Sequence, residues 1–467
     1  MALQPYLLNE MLKIAEQQPL SGHTPGHKNG LFLPARLKEL WGEQFAAYDF
    51  TELPGLDNLH FSEECLAKSQ QQTADFFGAA HSYYLVNGTT AGLQAAIMAA
   101  CHEQEVFVPR HVHRSIYHSL ILAQAKPIYL PVTIDDETSL PLGLDPAVLA
   151  DYIKRYPNCK CLIMVHPTYQ GLTWQNKNCF TLAKENKLTI IVDEAHGSHL
   201  QFNRHLPTSA LELGGDLVVQ SWHKTLPVLT QGSVLHVSKN YQGPNLSPYL
   251  SLLQTTSPSY LLMASLEMGG IEMMEKGEEI IENSLYNIVY LHQQIHQTLN
   301  NIHLLWRSDW QQDMFKLYLY ADVLTGAELE AQLREQFAIY PEMHDNNGCL
   351  IMLPLNLTKD YTNQLLQALT AIDQQSASLE PIAYSPNFYT TDLPEEVIPL
   401  SEAFYAAKET ILWQDAAGRI AGQFILRYPP GIPLLVPGER IEPELLTAWV
   451  NAGGNLTEKL LVLTEGV

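Results

Sequence analysis

Positive charge is scarce in this chain. Across 467 residues, 27 lysines and arginines face 50 aspartates and glutamates, a formal net charge of −23. A surface of that sign repels phosphate backbones and anionic bilayers, so neither nucleic acid nor membrane is expected as a partner. Charged residues of both signs make up only 16% of the chain and apolar residues 46%, which argues against extended disorder and supplies a sizeable core. Cysteine is also scarce. The six cysteines, at 65, 101, 159, 161, 179 and 349, form no C-x-x-C pair, and Cys159 and Cys161 share a segment patterned like a buried strand. Buried reduced thiols are expected, rather than disulfides or a zinc site. Long hydrophobic runs are missing: the longest, such as 95–101, fall far short of the ~20 residues that span a bilayer. Residues 1–20 pattern as an amphipathic helix (Tyr6, Leu7, Met11, Leu12, Ile14, Ala15) with no basic segment leading into an apolar core. No signal peptide is expected, and the cytoplasm is the expected location.

The length suggests two or three domains at roughly 150 residues each. Between about 60 and 305 the pattern alternates. Strand-length apolar runs recur at 82–86, 106–108, 127–132, 161–165, 188–192, 217–219 and 233–237. Helical segments lie between several of them, at 63–77, 90–102, 113–125, 146–156 and 179–186. Such repetition predicts an α/β fold with a mostly parallel sheet, whose ligands sit at the carboxyl ends of the strands. A long helix is expected over 257–299, with Glu275, Glu278, Glu279 and Glu282 as its charged face. Beyond it, strands at 314–320 and 349–354 mix with helices at 326–336 and 358–371, and 373–392 reads as a connector. The expected division is an N-terminal arm at 1–55, a major domain at 56–305 and a smaller α+β domain at 306–467. No internal repeat and no low-complexity tract is evident.

The segments that carry chemistry fall mainly at strand ends. Asn87-Gly88-Thr89-Thr90-Ala91-Gly92 follows one apolar run and opens a helix. Small residues there let backbone N–H groups and the Thr89 and Thr90 hydroxyls approach one phosphate; the plain alternative is a capped helix after a glycine turn. It is neither a P-loop nor G-x-G-x-x-G. His111, His113 and His118 cluster after another strand, suited to a polar loop or to one imidazole stacked on a ring, since no third metal ligand has a clear spacing. Asp193 closes the run 188–192, with His196 and His199 after it. A strand-end acid there can hold a pyridinium nitrogen protonated, while Asp193, His196 and His199 together leave a loose metal cluster, and so a metal hydrolase, open. Lys224, in Ser221-Trp222-His223-Lys224, sits among Val218, Val219, Trp222, Leu226, Pro227 and Val228. Desolvation lowers a lysine's pKa, as Schiff-base chemistry requires; a surface lysine in a loop is the alternative. The acid and the lysine together suit a pyridoxal 5'-phosphate enzyme.

These motifs, in this order, resemble the ornithine/lysine/arginine decarboxylases, pyridoxal phosphate enzymes of fold type I, the aspartate aminotransferase type. The resemblance covers most of the chain. It runs through Thr24-Pro25-Gly26-His27-Lys28, the segment DFTELPGLDNLH at 49–60, NGTTAG, His113-Arg114-Ser115 and Pro167-Thr168-Tyr169-Gln170-Gly171. It continues through DEAHGSH, SWHKTLPVLTQGS and Tyr428-Pro429-Pro430-Gly431-Ile432-Pro433. It implies Lys224 as the Schiff-base lysine and Asp193 as partner of the pyridine nitrogen. Thr89, Thr90, Ser221 and His223 would hold the phosphate, His113 would stack on the ring, and His196 would lie near its phenolic oxygen. Glu342 matches the glutamate that meets the substrate's distal cation, although Met343 stands where the family has a basic residue. Asp49 and Glu52 stand behind it as acids for the same cation. With Thr24-Pro25-Gly26-His27-Lys28 so near the start, the N-terminal response-regulator-like domain of the large members is expected to be missing, and a short biosynthetic form, a homodimer or a small multiple of dimers, is expected.

The reaction expected from this resemblance is decarboxylation of a basic amino acid: arginine to agmatine in polyamine biosynthesis, with lysine or ornithine as alternatives. Loss of CO₂ requires the α-carboxylate to stand perpendicular to the cofactor ring in an apolar pocket. Lys224 or His223 would return the proton to Cα. An aminotransferase is the nearest competitor. It would need an arginine clamp on the α-carboxylate, for which Arg419 and Arg427 are available. A non-catalytic pyridoxal phosphate binder is the alternative outside enzymology.

Overall fold

A computed structural model describes residues 3–42, 44–136, 138–307, 311–382, 392–426, 431–451 and 454–464. It divides into two compact units: Met1–Ala100 with Thr189–Ile280, and Cys101–Leu188 with Ile281–Val467.

In the first unit the strands His81–Leu85, Ser233–Val237, Leu217–Gln220 and Thr189–Asp193 lie in that order. Ser233–Val237 runs antiparallel to both of its neighbours, while Leu217–Gln220 and Thr189–Asp193 are parallel. The last three of these strands are almost wholly enclosed, with no exposed alternate, which is why the sequence reads there as continuous Val, Ile and Leu rather than as alternation. The helix Gly88–Cys101 lies close on this sheet. A Cβ on Gly92 would come within 2.6 Å of the Leu85 side chain and 2.7 Å of the Val219 side chain, so a larger residue would have to displace both. The N-terminal helix Tyr6–Glu16 buries Leu7 and Met11, and the Glu267 carboxylate accepts from the backbone N–H groups of Leu7 and Leu8 at 2.9 and 2.8 Å.

In the second unit Cys161–Val165, Glu105–Pro109 and Lys126–Leu130 are parallel. A separate antiparallel sheet orders Ile302–Leu304, Lys316–Ala321, Gly348–Met352 and Met343–His344. Helix Gly326–Phe337 starts with a capping box: the Thr325 hydroxyl accepts from the Glu328 N–H, and the Glu328 carboxylate accepts from the Thr325 N–H. A C-terminal cluster of Trp413, Ala421, Ile425, Leu435, Ile441, Leu460 and Val462 forms its own core, with Trp449 stacked on Trp413 at 4.5 Å between centroids.

The expected long helix is Tyr260–Thr298, 39 residues. Two expectations shift. The helix expected from 179 begins at Asn176, because its start carries no Ser, Thr or Asp cap to mark it. The expected connector at 373–392 is helical through Ser376. Asp373, polar in the sequence, is 3% exposed, and its carboxylate accepts from the backbone N–H groups of Asn300, Asn301 and Ile302 at 2.7–3.1 Å. It anchors the chain just past the long helix. Residues 383–391 lie outside the described residues. All six cysteines are buried. Among the described residues no helix is long and apolar enough to cross a membrane.

Candidate active site

The first unit brings the acid and the lysine to neighbouring strand ends. Asp193 is the last residue of its strand, pairs across from Val219, and is 7% exposed. The Ala195 N–H donates to its Oδ1 at 3.1 Å. Burial raises its pKa, while the charge of Lys224 and the Ala195 hydrogen bond pull it down. Beyond Asp193 the chain turns sharply, with Gly197 N–H donating to Glu194 C=O at 3.0 Å. The turn brings the His196 ring to the lysine: Lys224 Nζ and His196 Nε2 are 3.1 Å apart.

Lys224 lies on a short helical turn, Trp222–Thr225, that directly follows the strand Leu217–Gln220. The long helix packs tightly against the residues on either side of it. A Cβ on Gly270 would meet the Trp222 ring at 2.7 Å, and one on Gly269 the Pro227 carbonyl at 2.8 Å. His223 is held by both its backbone and its ring. Its N–H donates to Gly232 C=O at 3.0 Å, and its Nδ1 contacts the same carbonyl at 3.0 Å. A carbonyl only accepts, so Nδ1 carries the hydrogen and Nε2 is left as an acceptor. Burial lowers the His223 pKa, the Gly232 hydrogen bond opposes it, and Lys224 lowers it further. Together these effects favour the neutral ring.

The phosphate candidates also converge. Ser221 Oγ, 1% exposed, lies 3.3 Å from Thr89 Oγ1. Thr89 and Thr90 stand in the first turn of helix Gly88–Cys101, after Gly88 at φ +69°, and are half-buried. Two hydroxyls beside the open N–H groups of a helix start form an anion cradle.

Other expected residues are placed elsewhere or engaged otherwise. His113, in the second unit, caps helix Arg114–Ala123: its Nδ1 accepts from Ser115 N–H at 3.2 Å. Glu342, also in the second unit, accepts from the Tyr169 hydroxyl at 2.7 Å. Asp49 pairs with His27 at 3.1 Å, and Glu52 accepts from the Thr51 hydroxyl at 2.7 Å. Arg419 is committed to Glu409 and the Leu463 carbonyl, which leaves it a structural role rather than a clamp. Arg427 lies outside the described residues, as do Tyr428, Pro429 and Pro430. Among the described residues no group of three His, Cys, Asp or Glu side chains is placed to hold a metal ion. Sequence reasoning missed Glu194 and Gln220, each fully buried beside a residue it did select.

A family model described as Orn/Lys/Arg decarboxylase, major domain, matches residues 5–316, and one described as its C-terminal domain matches 387–452. The chain belongs to the Orn/Lys/Arg decarboxylase family. Among curated relatives of this decarboxylase, the arginine decarboxylase of Bacillus subtilis strain 168 is 31% identical over 451 residues, covering 94% of this chain and 91% of that protein. Among solved structures, the Francisella novicida lysine decarboxylase LdcF superposes with a TM-score of 0.85 at 19% identity, over 99% of this chain and 81% of that one. A more distant structure, SPT with its pyridoxal phosphate, has a TM-score of 0.53 at 16% identity, over 67% of this chain and 77% of that one. The fold is that of the fold type I enzymes, with a mostly parallel sheet in the major domain and a smaller C-terminal domain.

The family and such neighbours imply pyridoxal phosphate as the decarboxylase's cofactor. The donor set fits that group. A half-buried amine stands beside a buried carboxylate, and a hydroxyl pair stands at a helix start; these are the three chemistries needed by an aldehyde, a ring nitrogen and a phosphate.

Proposed function

We propose that this decarboxylase converts L-arginine to agmatine and CO₂ with pyridoxal phosphate. The observation that carries this reading is the approach of Lys224 Nζ to His196 Nε2 at 3.1 Å, beside the buried Asp193 at the next strand end. Lys224 would hold the cofactor's aldehyde carbon, and Asp193 its ring nitrogen. Thr89, Thr90, Ser221 and His223 would hold its phosphate, with His113 on the ring face and His196 on the phenolic side. Bound there, the cofactor supplies an electron sink for the pair released when the carboxylate leaves.

The chain's own residues set the outcome. Burial of Asp193 would keep water from the ring nitrogen; that burial raises its pKa, and the Lys224 charge and the Ala195 N–H oppose the rise. The close packing of the long helix on Trp222 and Pro227 would fix the turn that carries Lys224. A proton must then return to Cα. With its Nδ1–H tied to Gly232, His223 would hold the phosphate only through an Nε2 that the phosphate's charge keeps protonated, which leaves Lys224 Nζ as the better proton donor. Glu342 would read the distal cation, with Asp49 and Glu52 as further acids, the carboxylate matching a guanidinium in a charge-assisted pair.

Arginine is favoured over lysine and ornithine by the name carried by the B. subtilis relative. The same reading takes the chain as a cytoplasmic homodimer or small multiple of dimers serving polyamine synthesis, with an arm at 1–55, a cofactor domain at 56–305 and a small domain at 306–467. Incubation with each of the three amino acids, with product identification, tests the substrate. Agmatine should form fastest; faster cadaverine or putrescine overturns the choice of arginine, and a keto acid overturns the decarboxylase.

A further inference from the structure

Behind the residues assigned to the cofactor lies a second set of polar side chains, almost wholly enclosed. Ser82 is 3% exposed, and His236, Gln220, Trp222 and Glu194 are each 0% exposed. Their hydrogen bonds have a single consistent direction. The Trp222 indole N–H can only donate, and it meets Gln220 Oε1 at 2.9 Å. That fixes the amide: its oxygen faces Trp222 and its NH₂ donates to Glu194 Oε2 at 2.7 Å. His236 Nε2 reaches the same Gln220 oxygen at 3.1 Å and therefore carries a hydrogen. Its Nδ1 then accepts from the Ser82 hydroxyl at 2.7 Å. The other Glu194 oxygen accepts from the Ala210 N–H at 2.6 Å.

The chain positions of these residues matter more than their number. Glu194 follows Asp193, Gln220 precedes Ser221, and Trp222 precedes His223 and Lys224. Successive side chains at a strand end point to opposite faces, so Glu194 faces away from Asp193. Burying a carboxylate costs free energy, and hydrocarbon would fill the same space at less cost. Burial duly pushes the Glu194 pKa up to about 8, against the pull of Gln220 and Ala210.

We propose that the Glu194–Gln220 pair is a positioning device: it locks the end of strand Thr189–Asp193 to the end of strand Leu217–Gln220, so that Asp193 and Lys224 address one bound ring, without itself touching that ring. The proposal rests on the reading of Asp193 and Lys224 as cofactor ligands.

Glu194→Gln keeps the shape but turns an NH₂ toward the Ala210 N–H or the Gln220 NH₂, setting donor against donor. The exchange Glu194→Gln with Gln220→Glu removes that conflict. The amide carbonyl then at position 194 would accept from the Ala210 N–H, and its NH₂ would donate to the carboxylate then at position 220. That carboxylate would in turn accept from Trp222 and His236. The measurements, made above about pH 8 where Glu194 is ionised, are the dissociation constant of pyridoxal phosphate for the apoprotein, and the position of the bound cofactor's visible band with its titration midpoint. Glu194→Gln should weaken cofactor binding about tenfold and shift the band, and the exchange should restore both to within about threefold of the wild type. The proposal is overturned if folded Glu194→Gln binds and titrates as the wild type does, or if the folded exchange is no better than the single variant. It is also overturned if neither variant folds, since the pair would then serve folding alone. If Glu194→Gln fails to fold but the exchange folds and loads, the proposal stands. A wild-type chain that binds no pyridoxal phosphate would instead overturn the reading of Asp193 and Lys224.

Discussion

Arg110 Nη2 donates to Glu439 Oε2 at 2.7 Å, with the two side chains only 4% and 1% exposed. The same guanidinium donates to the Tyr117 hydroxyl at 2.8 Å and the Leu434 carbonyl at 2.9 Å, and Tyr117 donates back to the Arg110 carbonyl at 2.6 Å. The pair ties the strand end at Pro109, just before His111–His113, to the C-terminal part of the chain, where Arg114 N–H donates to Gly431 C=O at 3.1 Å. Removing one partner leaves a buried charge uncompensated. Glu439→Ala should cost about 3–5 kcal/mol in denaturant unfolding, and the double variant Arg110→Met/Glu439→Leu should cost less than the single. A single variant as stable as the wild type would show that the pair contributes nothing to folding.

Lys224 should be the point of covalent attachment. Borohydride reduction of the loaded protein followed by peptide mass analysis should place the modification on the peptide containing Lys224. Lys224→Ala should lose at least roughly 10³-fold in kcat. A reduced adduct on any other lysine defeats the assignment.

Asp193→Asn preserves the shape of the side chain and removes its charge. The expected loss is roughly 10²–10³-fold in kcat, the usual scale for one well-placed electrostatic partner. The KM should change far less. Unchanged kcat would mean that the ring nitrogen finds its proton elsewhere.

Glu342→Ala should raise the KM for arginine about tenfold or more with a small effect on kcat, because it removes binding to the part of the substrate far from the reacting carbon. Steady-state kinetics separate the two constants. A fall in kcat with constant KM would place Glu342 in the chemistry and not in substrate recognition.

Glu194 predicts a pH dependence of stability in the apoprotein. Burial lifts its folded-state pKa from an ordinary 4.5 to about 8. The folded state therefore binds that proton more tightly than the unfolded state. The contribution is fully present below the unfolded value and is lost as pH rises through about 8. Between about pH 5 and about pH 9 the wild type should lose a few kcal/mol more than Glu194→Gln does, as read by urea unfolding at both ends. Equal losses in the two proteins would contradict the shift.

The parts of the fold that were legible in the sequence were those with one dominant period. Strands buried on both faces, such as Leu217–Gln220 and Ser233–Val237, showed as short Val- and Leu-rich runs, and Lys224 and Asp193 stood out as charged residues at or just beyond the ends of such runs. Glu194 and Gln220 did not stand out. A polar residue beside a motif looks like part of the motif or of its loop, and only three-dimensional packing shows that it turns inward to meet another. Arg110 escaped for a related reason: its partner Glu439 lies far along the chain, and no local pattern connects them. Asp373 read as connector because a buried carboxylate satisfied by backbone N–H groups has the same letter as a solvated one.

The enclosed cysteines have a practical consequence. The thiolate is the form that alkylates and oxidises, and burial lifts the thiols of Cys159 and Cys179 to about 11 and about 12. With all six buried, the folded protein is a slow target for maleimides and for air. A cysteine placed at Tyr286, 81% exposed on the long helix, would therefore be the fast-reacting thiol, and a dye attached there could report on the folded enzyme without removal of any native cysteine.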